Sequence, residues 1–181
     1  VQIMVAANAV DAVDDIFATP IPSTGGSTPG LLANDTLNGQ PFPPALATIT
    51  LISAPTGISL GAGATLNVAP NASAGAAAFA YQLCQAGSCD TASIRLVIAP
   101  DVGPDAFPAT GGVTMPGNVA TNDNAPAVSV FSALTTPTRG TLVFNADGSF
   151  TYTPLAGAVG ADAFDYSVCL PAPDNAVCDV G

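Results

Sequence analysis

The chain has 181 residues, of which 49% are apolar, so it is long enough to form one large or two small domains with buried cores. Its formal net charge is −11: the 13 acidic residues are all Asp, the basic residues are Arg95 and Arg139, and Glu, Lys, His and Trp are absent. This charge argues against nucleic acid and anionic membranes as partners, because both are bound by clustered cations. Without His or Lys the usual general base and the Schiff-base amine are missing, so we expect no enzyme and no small-molecule substrate.

Glycine and proline interrupt the chain too often for long helices. The sequence contains 18 Gly and 17 Pro, and it lacks the strong helix formers Glu and Lys. No apolar run approaches the roughly 20 residues that a membrane-spanning helix needs. We therefore predict an all-β protein without a membrane span.

Short runs of alternating apolar residues, bounded by Gly, Pro, Asn or Asp, predict half-buried strands. In chain order these runs are Val1–Val5, Thr48–Ile52, Ile58–Leu60, Thr65–Val68, Ile94–Ile98, Val128–Phe131, Thr141–Phe144 and Ser149–Thr153. The Asp-Gly pair in Asn145–Gly148 tolerates positive φ, so the two runs that flank it are predicted to form a hairpin.

The sequence also repeats itself once. Asp15-Ile16-Phe17 corresponds to Asp105-Ala106-Phe107, Leu32–Asp35 to Val119–Asp123, and Phe79–Cys84 to Phe164–Cys169, in the same order. About seven strands in each copy imply two tandem β-sandwiches. We predict an N-terminal strand at residues 1–8, a first domain at 9–99 and a second domain at 100–181.

The second copy carries the fuller set of motifs. It has Arg139-Gly140-Thr141, then Asp147–Pro154 with the sequence DGSFTYTP, then Phe164-Asp165-Tyr166. Together with Leu32–Asp35 (LAND) in the first copy, this order resembles the bacterial Ig-like and cadherin-like tandem modules of large surface and adhesin proteins. The resemblance covers nearly the whole chain and implies an extracellular Ig-like sandwich used for spacing or adhesion, without catalysis.

Each copy contains one pair of cysteines at an equivalent place, after the F-x-Y strand and before an Asp. The pairs are Cys84 with Cys89 and Cys169 with Cys178. Four cysteines permit three pairings, and the repeat favours a disulfide within each copy. Since disulfides persist in oxidising compartments, we expect an extracellular or cell-surface protein whose signal peptide has been removed.

The second copy lacks the counterpart of the strand that ends the first. Cys89-Asp90 leads into the alternating run Ile94–Ile98, whereas Cys178-Asp179 leads to Val180-Gly181. We expect the resulting groove to have an acceptor edge formed by Phe164, Tyr166, Val168 and Val180. An unpaired edge of this kind is a template for strand addition.

The first residues of the chain resemble the missing strand. When Val1, Gln2, Ile3, Met4 and Val5 are placed after Gly181, the joined segment that begins at Cys178 reproduces the pattern of Cys89–Val97 within a one-residue shift. As a donor strand, they predict a head-to-tail homopolymer, since donor and acceptor lie at opposite ends of the sequence. The function favoured is thus the structural subunit of an extracellular bacterial filament, pilus-like or a matrix fibre.

Two alternatives stay open. The chain can be an excised repeat pair of a giant cell-surface adhesin, in which the apparent donor is the last strand of the preceding module. Alternatively, Val1–Val5 folds back within its own molecule, although residues 6–12 are short for that route.

Several aspartates near the predicted module ends suggest weak calcium sites. These are Asp14, Asp15, Asp101, Asp105 and Asp123, and oxygen-rich Ca²⁺ sites occupy such places in cadherin-like proteins. The competing interpretation is that these residues form turns and carry solubilising charge. No other cofactor is expected.

Overall fold

The computed structural model describes residues 3–4 and 7–181. Over these residues the regular structure consists of strands and four short 3₁₀ helices, Leu31–Ala33, Pro44–Leu46, Ala62–Ala64 and Val119–Thr121, with no α-helix. The all-β prediction is confirmed. No helix in this part of the chain is long and apolar enough to cross a membrane.

The chain divides into two compact units. Unit 1 contains the described residues up to Ala72 together with Ala76–Ile98, and unit 2 contains Ser73–Gly75 and Ala99–Gly181.

Unit 1 contains ten strands in three sheets. The strands are β1 (Val10–Asp11), β2 (Asp15–Ile16), β3 (Gly26–Ser27), β4 (Thr36–Leu37), β5 (Gln40–Pro41), β6 (Thr48–Ile52), β7 (Ile58–Leu60), β8 (Leu66–Val68), β9 (Gly75–Gln85) and β10 (Ser88–Ile98). The sheet orders are β1-β4-β5, β2-β10-β9-β6 and β3-β8-β7.

The long strands β9 and β10 supply much of the unit 1 core. Alternate residues of β9 are buried, and on β10 the side chains of Ile94, Leu96 and Ile98 are 0–2% exposed. On its other side β10 pairs in parallel with β2, with Ile94 opposite Asp15. Strand β10 is therefore an interior strand whose apolar residues close the sandwich.

Unit 2 contains six strands in two sheets. The strands are β11 (Met115–Asn118), β12 (Val130–Ala133), β13 (Gly140–Phe144), β14 (Ser149–Pro154), β15 (Tyr166–Cys169) and β16 (Cys178–Val180). The sheet orders are β11-β14-β13 and β12-β15-β16.

The core of unit 2 is built around aromatic side chains. Phe150 packs edge-to-face against Phe107 and Phe164, with ring centroids 5.0 and 5.4 Å apart. Phe131 stacks on Tyr166 at 6.2 Å. Such aromatic pairs stabilise the core beyond the apolar area that they bury, and unit 2 has fewer buried aliphatic side chains than unit 1.

Most predicted strands correspond to observed strands. Thr48–Ile52 and Ile58–Leu60 are reproduced as β6 and β7, and the predicted hairpin around Asn145–Gly148 is formed by β13 and β14. For the predicted N-terminal strand, Val1, Gln2 and Val5 lie outside the described residues. Ile3 and Met4 are described; they carry no strand pairing and are 82% and 88% exposed.

Candidate functional site

Both predicted disulfides are formed, each across the neck of a hairpin. Cys84 is bonded to Cys89 between β9 and β10, and Cys169 is bonded to Cys178 between β15 and β16. The two bonds fix equivalent hairpins in the two units, which allows the units to be compared residue by residue.

A tyrosine–aspartate cluster lies beside the hairpin of unit 1. Tyr81, on β9, is fully buried and donates its hydroxyl to the carboxylate of Asp35 at 2.9–3.0 Å. Asp15, on β2, lies beside both and is 7% exposed. Its Oδ2 atom is buried without a hydrogen-bond partner among the described residues.

The same cluster recurs in unit 2. Tyr166, on β15, donates its hydroxyl to Asp105 at 3.0 Å and to Asp123 at 3.1–3.2 Å. These residues are the repeat equivalents of Tyr81, Asp15 and Asp35. A buried tyrosine hydroxyl needs a polar partner; Asp35 provides it in unit 1, and Asp105 and Asp123 provide it in unit 2.

Asp35 and Asp123, the second aspartates of the two clusters, also bind the backbone just before the first aspartates, Asp15 and Asp105. Asp35 accepts a hydrogen bond from the Val13 N–H at 2.8 Å, and Asp123 accepts the equivalent bond from Gly103 at 2.8 Å. In the same way, Asp90 accepts from Ala12. Asp179 likewise accepts from Val102, so the N-terminal segment of each unit is held against its hairpin by matching side chains.

The two carboxyl groups of the unit 1 cluster have raised pKa values. Burial and the neighbouring Asp35 carboxylate raise the pKa of Asp15 to about 6. Burial also raises the pKa of Asp35, and burial with the Asp35 hydrogen bond raises the pKa of Tyr81. In unit 2, burial raises the pKa values of Asp105 and Asp123.

The structure does not bring the five predicted calcium ligands together. Asp14 and Asp15 belong to unit 1, whereas Asp101, Asp105 and Asp123 belong to unit 2. Asp14 accepts from the Ser93 N–H, and the carboxylates of Asp105 and Asp123 accept from Tyr166. Among the described residues no group of three acidic, His or Cys side chains is placed to hold a metal ion.

The sequence did not predict the clusters, because Tyr166 was assigned to the acceptor edge and the aspartates to turns or weak calcium sites. One signal was available in the sequence. Both copies place a tyrosine on an inward-facing strand position and an Asp at two matching earlier positions, and an inward-facing hydroxyl requires a buried acceptor.

Unit 2 contains a groove of about 440 Å³. It is lined by the segment 105–111, by the stretch 158–164 that precedes β15, and by core side chains that include Val119, Phe150 and Tyr166. Residues 102–110 and 161–165 carry no strand assignment. Their counterparts in unit 1 include β2 and the first half of β9, which lie on either side of β10.

The groove thus lies where the end of β10 lies in unit 1. Strand β16 continues the hairpin as far as Gly181, whose N–H and carbonyl both pair with Tyr166. By the repeat, Gly181 corresponds to Ala92, so the counterparts of Ser93–Ile98 would run between Asp105–Phe107 and Ala163–Asp165. In unit 1 the Phe17 N–H donates to Arg95, which is the pairing that Phe107 lacks in the described part of unit 2.

The predicted acceptor edge requires a correction. Phe164 and Tyr166 line the groove, but Val168 and Val180 do not. Strand β15 is the central strand of its sheet and is paired on both sides, to β12 and to β16, so Tyr166–Cys169 offers no free edge. Just before β15, the backbone of Asp165 is already bonded to Leu134 and Thr135, so the backbone available for pairing is that of Phe164, together with Asp105–Phe107.

One end of the groove carries a polar cluster. The Tyr152 hydroxyl donates to Asp162 at 2.6 Å, and Asp162 also accepts from the backbone N–H groups of Thr138 and Arg139. These hydrogen bonds, that from Tyr152 above all, lower the pKa of Asp162 to about 2. Asp162 therefore stays ionised and anchors the loop that forms this end of the groove.

Residues 98–176 match the family model described as a bacterial Ig domain. This match covers a little under half of the chain and nearly all of unit 2. The resemblance predicted from the sequence is confirmed. Among the curated proteins, none matches this chain.

Three solved structures illustrate what the whole chain is similar to. They are the endo-fucoidan hydrolase MfFcnA4 of glycoside hydrolase family 107 (15% identity over 93% of this chain and 26% of that one, TM-score 0.34), human protocadherin-24 EC1-2 (12%, 92% and 87%, 0.33), and Bacteroides ovatus SGBP-B in complex with a mixed-linkage heptasaccharide (16%, 96% and 45%, 0.33). The chain spans about a quarter of the length of the hydrolase. None of these similarities carries a functional inference.

The family match and the disulfides define the class of the protein. A bacterial Ig module stabilised by a disulfide indicates an extracellular or cell-surface protein. Its role is structural or related to adhesion.

Proposed function

We propose that the chain is a structural subunit of an extracellular bacterial filament that assembles head to tail by strand addition. In this proposal the first residues of one copy enter the groove of unit 2 of the next copy. The observation that carries the proposal is the groove itself, because it lies where unit 1 places the buried end of β10.

Strand β10 of unit 1 indicates which side chains an inserted strand would place in the groove. Its own strand at this place presents Ile94, Leu96 and Ile98 to the core, each 0–2% exposed. With the segment shifted by one residue, Val1, Ile3 and Val5 fall at these three positions. Burying three such side chains contributes roughly 5 to 9 kcal/mol before the cost of ordering the strand.

Backbone pairing supports the same occupant. Residues 105–107 and Phe164 lack strand partners in the described structure, although their unit 1 counterparts lie on the strands that flank β10. A strand inserted between them gains hydrogen bonds on both sides, which is more than a strand added at a simple sheet edge gains. The proposal assigns the chain no catalytic role.

The size of the purified protein tests this proposal. We would compare the full chain with a chain lacking residues 1–7 and with the Ile3→Asn variant, using light scattering and electron microscopy. The parent is expected to form fibres whose growth both changes abolish. Val128→Asn is the matched control, because Val128 is an apolar residue of unit 2 that is 69% exposed and lies outside the groove.

Two results would count against the filament. One is a parent chain that stays monomeric at high concentration, and the other is an Ile3→Asn variant that assembles like the parent. The first result favours the alternative function, a repeat pair of a surface adhesin in which a following segment of the same polypeptide fills the groove.

A further inference from the structure

The two tyrosine–aspartate clusters differ in the burial of their first aspartate. Asp15 is 7% exposed, because β2 pairs with β10 directly beside it and places Ile94 opposite it. Asp105, its equivalent, is exposed and lies on a segment without strand pairing that lines the groove. Unit 1 therefore shows the closed form of the cluster, and unit 2 shows an open form.

The groups that face these aspartates are similar in the two units. Asp105 faces the Tyr166 hydroxyl at 3.0 Å and the Asp123 carboxylate, with Asp101 acting on Asp123 from further away. Arg139 also lines the groove, at the Asp162 end. Asp15 faces Tyr81, Asp35 and Asp14. Neither aspartate has a cation among the groups that act on it.

We propose that filling the groove moves Asp105 from solvent into the buried position that Asp15 holds in unit 1, so that strand addition takes up a proton. This inference rests on the proposed function, since it needs a strand in the groove. An inserted strand would cover Asp105 as β10 covers Asp15, beside a second carboxylate and a neutral hydroxyl. A charge buried in such surroundings is costly, and binding a proton relieves the cost.

The direction of the pH dependence of strand binding follows from the closed cluster of unit 1. Burial and Asp35 raise the pKa of Asp15 to about 6, and this is the behaviour expected of Asp105 once the groove is filled. The filled state then binds a proton more tightly than the empty state, so affinity for the strand increases as the pH falls from 7.5 toward 5. With a pKa of 3.8 in the empty state and about 6 in the filled state, the dissociation constant falls by at most about 10-fold between pH 7.5 and pH 5.0.

A neutral peptide isolates this effect. Acetyl-Val-Gln-Ile-Met-Val-Ala-Ala-Asn-amide, the sequence of residues 1–8, has no ionisable group, so any pH dependence of its binding arises in the protein. The acceptor is the full chain carrying Ile3→Asn, which disables its own donor segment. Titration calorimetry at pH 7.5 and 5.0, repeated in buffers of different ionisation enthalpy, yields both the affinity and the number of protons taken up.

We expect binding at least 5-fold tighter at pH 5.0 than at pH 7.5, with net proton uptake at pH 5.0 and almost none at pH 7.5. Adding Asp105→Asn should make binding tight at both pH values and abolish the uptake, while Asp147→Asn, in the β13–β14 turn, should leave both unchanged. Equal affinity at the two pH values with no uptake would overturn the inference and leave the proposed function standing. No binding at any pH would overturn both. If the Asp105→Asn protein fails to fold, the presence or absence of proton uptake by the Ile3→Asn acceptor still tests the inference.

Discussion

Replacing Asp15 with Asn is expected to stabilise unit 1 at neutral pH. The folded-state pKa of Asp15 is raised from the ordinary value of 3.8 to about 6, first by burial and then by Asp35. The stability linked to this group is therefore fully present below pH 3.8 and is lost as the pH rises through 6. Asn keeps the shape and polarity of the side chain but has no charge to bury.

The size of the effect follows from the pKa shift. One pKa unit corresponds to about 1.4 kcal/mol, so a shift of about two units gives at most about 3 kcal/mol. Allowing for partial screening by solvent, we expect the variant to gain about 1 to 3 kcal/mol in the free energy of unfolding at pH 7.5 and little near pH 4.

Urea unfolding followed by circular dichroism at several pH values measures this gain. The neighbouring Asp14→Asn variant is the control, because hydrogen bonds from Ser93 lower the pKa of Asp14. Stability linked to Asp14 is present above pH 3.8 and is lost as the pH falls further, so its replacement should weaken the protein at neutral pH. An Asp15→Asn protein that is no more stable than the parent at pH 7.5, or equally more stable at every pH, would refute the reasoning.

Three further predictions concern unit 2. Replacing Cys169 and Cys178 together by Ala should lower the free energy of unfolding of unit 2 by about 2 kcal/mol, because the disulfide closes a short loop; unchanged urea midpoints would contradict this. Gly117→Ala places a methyl group 2.3 Å from the Phe150 ring and should cost about 1 to 3 kcal/mol, seen as a lower melting temperature. Appending Ser-Ile-Arg-Leu-Val-Ile, a copy of residues 93–98, after Gly181 should fill the groove in cis, raise the unfolding midpoint of unit 2 and abolish assembly; fibres from this protein would argue against strand addition.

Local sequence patterns predicted the regular parts of the fold. Strands β6 and β7 were predicted with correct bounds because Thr48–Ile52 and Ile58–Leu60 alternate and are bounded by turn residues. The disulfides followed from the repeat, which assigns one cysteine pair to each copy. The β13–β14 hairpin followed from the Asp-Gly turn.

Long-range pairing was not predictable in the same way. Strands β1 to β5 have two residues each, too few for any period to be seen. The parallel pairing of β2 with β10 joins residues nearly 80 positions apart, and only the folded chain brings Asp15 opposite Ile94. The predicted acceptor edge was wrong for Val168 for a related reason, since the sequence does not show that β15 has a partner on each side. Val180 lies on the edge strand β16 but does not line the groove.

The tyrosine–aspartate clusters lie between these cases. Their residues belong to motifs that the sequence analysis identified, but a turn aspartate and a buried acceptor have the same sequence signature. The distinction depends on whether the Tyr81 and Tyr166 hydroxyls point toward them, which the structure shows for both units.

Amide hydrogen exchange of the assembled protein tests the central claim most directly. Strand addition predicts that the amides of Phe107 and Phe164 exchange quickly in the Ile3→Asn variant and become protected in assembled material, as the Phe17 N–H is protected by Arg95 in unit 1. Exchange at these amides that stays fast after assembly, with protection appearing elsewhere, would contradict the account.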